Sequence, residues 1–339
     1  MKALENPMID GYHRASDVRA YLTSLVGRPA HQRALARDAV TASAIRTWCD
    51  AMGERHPVYL DPASARAAGH RELVAPPGML HVWTMPGLEP DRPLTAGPAR
   101  SGDFDEIVRA KLADLGYAGT LAASIDQEFL APLHVGERLV AEDAYVEVSA
   151  EKQTHLGPGF FLTNRTTYAT TEGTTIGTLA TVVFHFAPRP AAALGPPLTA
   201  PAHVPGRPAP ATPVRLLAGE QCGPVTVPVT PTQIIAGALA TRDFYPVHHD
   251  RDFARAHGNA DFLMNSLTTN GLLARIVAEW TDQAPLLRLR TRIVAPAYAH
   301  DVLTVTGEVT EVGGGWAEVG IRAALRSGTH AEATARVGR

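Results

Sequence analysis

The sequence predicts an α+β protein built from two copies of one unit, each a central helix wrapped by an antiparallel sheet, with a shortened helix in the first copy. Three observations predict it. A stretch dense in proline and alanine, APRPAAALGPPLTAPAHVPGRPAPATPV at 187–214, divides the 339 residues. Proline lacks an amide donor and fixes its own φ, so this stretch continues neither helix nor sheet and reads as an extended connector. The same series of signals then stands on both sides of the connector, which marks a duplication. Within each copy the apolar spacing changes from that of a helix to the alternation of strands. The expected domains are 1–187 and 215–339, joined by a linker at 188–214.

In the first copy the turn-rich WCDAMGERHPVYLDPASARAAG leads into the helix-like PPGMLHVW. Pro86, Pro90 and Pro93 then forbid a long helix, so the sheet of this copy should be left partly unfilled, as an apolar groove. Strands are expected at Leu139–Val148, 160–169 and Thr175–Phe186. In the second copy LATRDFYPVHHDRDFARAHG plays the part of the turn-rich segment. Leu272, Leu273, Ile276, Val277 and Trp280 share one face of a helix that can run uninterrupted over 267–280. Alternation at Leu286–Ile293, 302–312 and Trp316–Leu325 gives strands, the last two joined by a GGG hairpin. Aligning Pro57 with Pro246 superposes two PV-x-x-D pentapeptides, and Pro132 falls on Pro296 in the same way.

Composition narrows the partners. Lysine plus arginine (31) nearly cancel aspartate plus glutamate (34), so no strong positive field exists to hold nucleic acid or an anionic membrane. Cys49 and Cys222 are the only cysteines, far apart and without CxxC spacing, which fits a reducing, cytoplasmic home and no structural zinc. MKALENPMIDGYHR lacks the apolar run of a signal peptide, and no later stretch approaches the roughly 18 apolar residues of a membrane span.

Thr241 to Gly258 gathers three arginines, three aspartates and three histidines. Its RDFYPVHHD resembles the D-x-N-P-[LIV]-H-x-D motif of the MaoC-like, (R)-specific enoyl-CoA hydratases, which are hotdog folds, and a helix begins 17 residues after the motif's histidine, as in that family. The paired units resemble a double hotdog with the active motif in the C-terminal copy alone. HHDRD and N-x-L-T-x-x-G are similar to segments of the two-component hydratases of bacterial steroid side-chain degradation, here fused into one chain.

Hydration of an enoyl thioester needs a base for the water, a proton for the α-carbon and stabilisation of the enolate oxygen. Asp243 and His248, separated by a turn that Pro246 stiffens, can share one water, with histidine taking the proton and aspartate orienting the water and relaying a proton back. The resemblance implies an oxyanion donor in the backbone amide of Ser266 at the helix start, next to Asn265, where the family usually has His-Gly. Tyr245 replaces the motif's asparagine and joins Asn265 and Arg251 as candidate substrate-binding residues, Arg251 being a partner either for an acid nearby or for coenzyme A phosphates. In the first copy Glu54 stands at the place of Asp243 and Tyr59 at that of His248, and a phenol is a poor base near neutrality, so this copy is expected to complete the substrate tunnel.

These residues imply an enoyl-CoA hydratase of bulky substrates that uses no cofactor and no metal, with the coenzyme A thioester as substrate and a homodimer as the assembly. Three other readings stay open. A dehydratase acting on a coenzyme A or acyl-carrier-protein thioester would use the same residues in reverse. A non-catalytic acyl-thioester binder would have no reason to keep both Asp243 and His248. A metal site at His248, His249, Asp250 and His257 lacks HxxxH or HxH spacing.

Overall fold

The computed structural model describes residues 7–30, 33–88, 104–154, 156–188 and 212–339. Most of the connector lies outside them, as do Pro90 and Pro93. The first half runs α1 (Pro7–Thr23), β1 (Ala34–Leu35), α2 (Ala42–Met52), α3 (Pro57–Leu60), α4 (Pro62–Ala67), two 3₁₀ turns (Pro77–Met79 and Val82–Thr84), α5 (Phe104–Asp114), β2 (Gly119–Phe129), β3 (Leu139–Val148), β4 (Lys152–Gln153), β5 (Pro158–Thr170) and β6 (Thr175–Phe186). The second runs β7 (Gln221–Pro228), α6 (Pro231–Thr241), a 3₁₀ turn (Pro246–His248), α7 (Arg251–Ala256), α8 (Ser266–Trp280), β8 (Leu286–Ile293), β9 (Val302–Gly313), β10 (Trp316–Leu325) and β11 (Gly328–Gly338).

From its outer edge inward the first half of the sheet is ordered β1-β3-β5-β6-β2 and the second β7-β9-β10-β11-β8, all antiparallel. The matching order is the duplication seen in space. The inner strands β2 and β8 pair from Ser124↔Arg292 to Glu128↔Arg288, so one sheet runs through both units. Arg288 clasps Asp126 across that seam with two bonds, 2.8 and 2.6 Å.

Helix α8 is buried on nearly every side, Thr268 to Val277 included, as expected for a helix at the centre of a wrapped sheet. Asn265 caps its start through the Thr268 amide. Gly271 lets the first half approach: a Cβ there would stand 2.7 Å from the Trp48 ring and 3.0 Å from Met52 Sδ. The two halves therefore share one apolar core, in which α2 lies against α6 and α8.

In the first half the counterpart of α8 is broken into two 3₁₀ turns, and the chain leaves them as coil through Pro86. The expectation that this sheet is left as an apolar groove needs correcting. Two helices the apolar pattern did not reveal, α1 and α5, close its far end, burying Val18, Leu22, Val108 and Leu112 against Tyr145 and Phe160. Between that cluster and the main core the sheet carries Asp143 and Asn164, half-buried, the amide of Asn164 donating to Asp143 Oδ2 at 2.9 Å. The space is thus shorter and more polar than three prolines alone would suggest. No helix among the described residues is long and apolar enough to cross a membrane.

Candidate active site

Helix α6 starts on Pro231, with Thr230 accepting from the Gln233 amide, and ends at Arg242 in the left-handed region, φ 58°. The reversal lets the Asp243 amide donate to the Ala238 carbonyl at 2.9 Å, which turns the Asp243 side chain inward. Proline at the head of the following 3₁₀ turn presets its φ, and one turn brings His248 back to the same side. His248 Nε2 lies 3.3 Å from Asp243 Oδ2, with the two residues only 7% and 8% exposed.

His248 Nδ1 donates to the Leu263 carbonyl at 2.8 Å, which leaves Nε2 facing the carboxylate. Burial alone pulls the imidazole pKa down, but Asp243 and the Leu263 carbonyl outweigh it and hold it above its ordinary value. Burial pushes the Asp243 carboxyl up, and His248, the Asn265 amide and the Tyr245 N–H together hold it below its ordinary value. Between those two limits the pair is an imidazolium against a carboxylate.

Asn265 ties this pair to α8. Its Nδ2 donates to Asp243 Oδ2 at 3.1 Å and to Thr241 Oγ1 at 2.8 Å, while its Oδ1 accepts from the Thr268 amide at 2.7 Å. One side chain thus caps the helix and aims the carboxylate. Ser266 is the first residue of α8, and its N–H has no acceptor among the described residues, as befits the positive end of a buried helix. The structure brings Asp243, His248, Asn265 and Ser266 together.

Tyr245 stands edge-on to His248, ring centroids 6.4 Å apart, and its N–H donates to Asp243 Oδ1 at 3.4 Å. Arg251 Nε is engaged by the fully buried Asp261 at 2.9 Å, and its side chain is about half exposed. Two further residues of the alternative metal reading are otherwise occupied: Asp250 caps α7 through the Phe253 amide, and His257 Nδ1 bonds the Phe253 carbonyl at 2.8 Å. No group of three or more His, Cys, Asp or Glu is placed to hold a metal among the described residues.

The equivalent turn of the first half has the same backbone and different chemistry. Glu54 and Tyr59 lie 189 residues before Asp243 and His248 (243 − 54 = 248 − 59 = 189). Glu54 Oε1 accepts from the amides of Arg55 and His56, both at 2.8 Å, so its carboxylate curls back on its own chain. Burial first, and Glu54 second, push the Tyr59 phenol far above its ordinary value.

Sequence reasoning missed a second group. Thr291 Oγ1 donates to Asn270 Oδ1 at 2.7 Å, the Asn270 amide donates to Gln127 Oε1, and the Gln127 amide meets His81 Nδ1 at 3.5 Å. All four side chains are buried. His81 and Asn270 follow the aligned prolines by the same count (81 − 57 = 270 − 246 = 24), and Gln127 and Thr291 precede the second aligned pair by the same count (132 − 127 = 296 − 291 = 5). The matched positions of these polar residues across the duplication were the signal available.

Residues 24–179 match the family described as "FAS1-like, dehydratase domain region", and residues 217–324 match the MaoC-like domain. The chain is 36% identical over 147 residues to the 3-oxo-4,17-pregnadiene-20-carboxyl-CoA hydratase alpha subunit of Mycobacterium tuberculosis, covering 43% of this chain and 45% of that one. It is 44% identical over 98 residues to the beta subunit of the same organism's hydratase, covering 29% of this chain and 76% of that one. The chain spans about half the length of the hydratase alpha subunits it matches, 53% and 45%. Among solved structures, a conserved hypothetical protein of Mycobacterium tuberculosis with a double hotdog fold aligns with TM-score 0.58 and 15% identity, over 91% of this chain and 96% of that one. At that identity the likeness shows the fold.

Proposed function

Because the chain belongs to the MaoC-like family of enoyl-thioester hydratases and dehydratases, we propose that it adds water to the double bond of a bulky 2-enoyl-CoA, giving the 3-hydroxyacyl-CoA. The observation that carries this reading is the buried Asp243–His248 contact, held by Asn265 at the start of α8. The directions of the two pKa shifts favour a division of labour opposite to that expected from titration near neutrality: the carboxylate accepts and the imidazolium donates. Asp243 takes a proton from the water as its oxygen bonds the β-carbon. The π electrons move toward the thioester, and the developing enolate oxygen is met by the Ser266 amide. His248 Nε2 then gives its proton to the α-carbon, and transfer from Asp243 back to His248 resets the pair. The balance closes without an electron carrier, and run backwards it is a dehydration.

The two relatives named as subunits of a 3-oxo-4,17-pregnadiene-20-carboxyl-CoA hydratase support a ring-bearing acyl group. The interrupted helix of the first half supports it too, since no full-length helix fills that sheet. Both relatives are subunits of one hydratase, whereas here β2 and β8 join two units within one chain. A homodimer would therefore use a surface other than that seam. Loss of the conjugated-thioester absorbance, followed for crotonyl-CoA beside a ring-bearing enoyl-CoA, tests the reading. Turnover of neither would end it, whereas a kcat/KM at least about tenfold higher for the larger substrate is expected, at roughly 0.8 kcal/mol for each extra buried methylene. Equal efficiency on the four-carbon substrate would remove the bulky-substrate part alone.

A further inference from the structure

A hydrogen-bond chain crosses from the second half to the first and stops at a donor with nothing to receive it. Thr291 donates to Asn270, Asn270 to Gln127, and Gln127 through its amide nitrogen to His81 Nδ1. With Nδ1 as acceptor, the ring proton sits on Nε2. That Nε2 is buried without a hydrogen-bond partner among the described residues, on a residue 3% exposed. Leaving a buried donor unmet is costly, so an acceptor from outside the chain belongs there. Asp243 is tied by Asn265 to the start of the same helix α8 that the hydrogen-bond chain reaches at Asn270, and its charge acts on His81 without a direct bond between them. A water is the group able to join such a buried donor to such a carboxylate.

We propose that His81, from the half that lacks the acid/base pair, is a positioning residue that holds a water against Asp243 through its Nε2–H. Under the reading given above, on which this catalytic part rests, it is the water added to the double bond. One lone pair accepts from His81, one proton points to Asp243, and the other lone pair is free to attack the β-carbon. The Trp48 ring stands edge-on to His81 with centroids 6.3 Å apart and is itself lodged against Gly78 and Gly271, which fixes the imidazole in place. Burial pushes the His81 pKa down to about 4, so the ring stays neutral and does not compete with Asp243 for the proton.

The test has two arms. A crystal structure of the wild-type protein should show a water within hydrogen-bond distance of both His81 Nε2 and the Asp243 carboxylate, kept in His81→Gln and lost in His81→Phe. His81→Leu serves where His81→Phe fails to fold. In the kinetic arm, the variant without the donor should lose about tenfold or more in kcat with KM little changed, and His81→Gln should stay within about threefold of wild type, as expected where orientation is what is lost. A wild-type structure without the bridging water, or an apolar variant with full kcat, or a glutamine variant as slow as the apolar one, overturns the proposal. If the wild-type protein hydrates no enoyl thioester, the proposed function fails and the crystallographic arm alone decides whether His81 holds the water.

Discussion

The two copies of the turn after α2 and after α6 share a backbone and differ in where a carboxylate points. In the second copy Asp243 reaches His248 and Asn265. In the first, Glu54 is one methylene longer and spends an oxygen on the amides of Arg55 and His56, leaving Tyr59 without a charged partner in contact among the described residues. The α8 equivalents diverge in step. Asn265 and Ser266 are matched by Pro76 and Pro77 (265 − 76 = 266 − 77 = 189), and proline has no N–H to offer an oxyanion. A duplicated scaffold therefore needs few substitutions to separate a chemical half from a binding half, because each chemical group depends on one local geometry.

The largest expected effect comes from removing the pair that only the second turn has. Asp243→Asn keeps the shape and loses the charge, and His248→Gln loses the titrating ring; each should lower kcat by about 10²-fold or more. Turnover near wild type in either variant, with the fold intact by circular dichroism, would place the chemistry elsewhere.

The pH dependence sharpens the same contrast. If carboxylate and imidazolium are the active forms, kcat/KM falls on the alkaline side as His248 loses its proton, above its ordinary value of 6.5, and on the acid side only below the ordinary 3.8 of Asp243. A neutral imidazole base would give the reverse, activity rising with pH through the histidine step. Stability follows the same window. The raised His248 contributes fully below 6.5 and fades as pH rises through its folded pKa, while the lowered Asp243 contributes above 3.8 and fades as pH falls through its own. A pH–rate profile beside thermal melts across this range checks both.

Asn265→Ala should have a smaller effect on both activity and stability. Loss of the helix cap costs about 1 kcal/mol, within a range of about 0.5–2. Loss of a hydrogen bond to a charged group is worth about 1.5–3 kcal/mol, so kcat should fall on the order of tenfold or somewhat more, at about 1.4 kcal/mol per decade. Asn265→Asp would keep the cap and set a second carboxylate beside Asp243. Full stability with depressed turnover in that variant would separate the two duties of the residue.

Much of this was legible in the sequence, for physical reasons. The PV-x-x-D turns and the strands around Leu139, Trp316 and Leu286 follow from local proline and alternation signals, and the acid/base pair lies within one short turn. What was not legible depends on contacts far apart in the chain. Asn270 meets Gln127 across 143 positions, and neither residue's neighbours announce the other. Helices α1 and α5 pack on the first sheet through a separate core, so the proline signal, of whose three residues only Pro86 is described, foretold a short helix but not what fills its place. Arg251 shows the same limit, since its partner Asp261 is ten residues on and buried.

The smallest effects belong to the first turn. Tyr59→Phe removes only a hydroxyl that burial and Glu54 keep protonated, and Glu54→Gln retains an oxygen able to accept from Arg55 and His56; each should change kcat by less than about tenfold, since that half supplies surface and not proton transfer. A harder test is to build the pair there. Glu54→Asp with Tyr59→His, placed in an Asp243→Asn background, sets a carboxylate and an imidazole at the same spacing on the matching backbone. No activity should return, because Pro77 still offers no amide where Ser266 does and Pro76 offers no side chain to aim the carboxylate as Asn265 does. Recovery of turnover in that triple variant would break the comparison, by showing that the pair alone, without the start of α8, is sufficient.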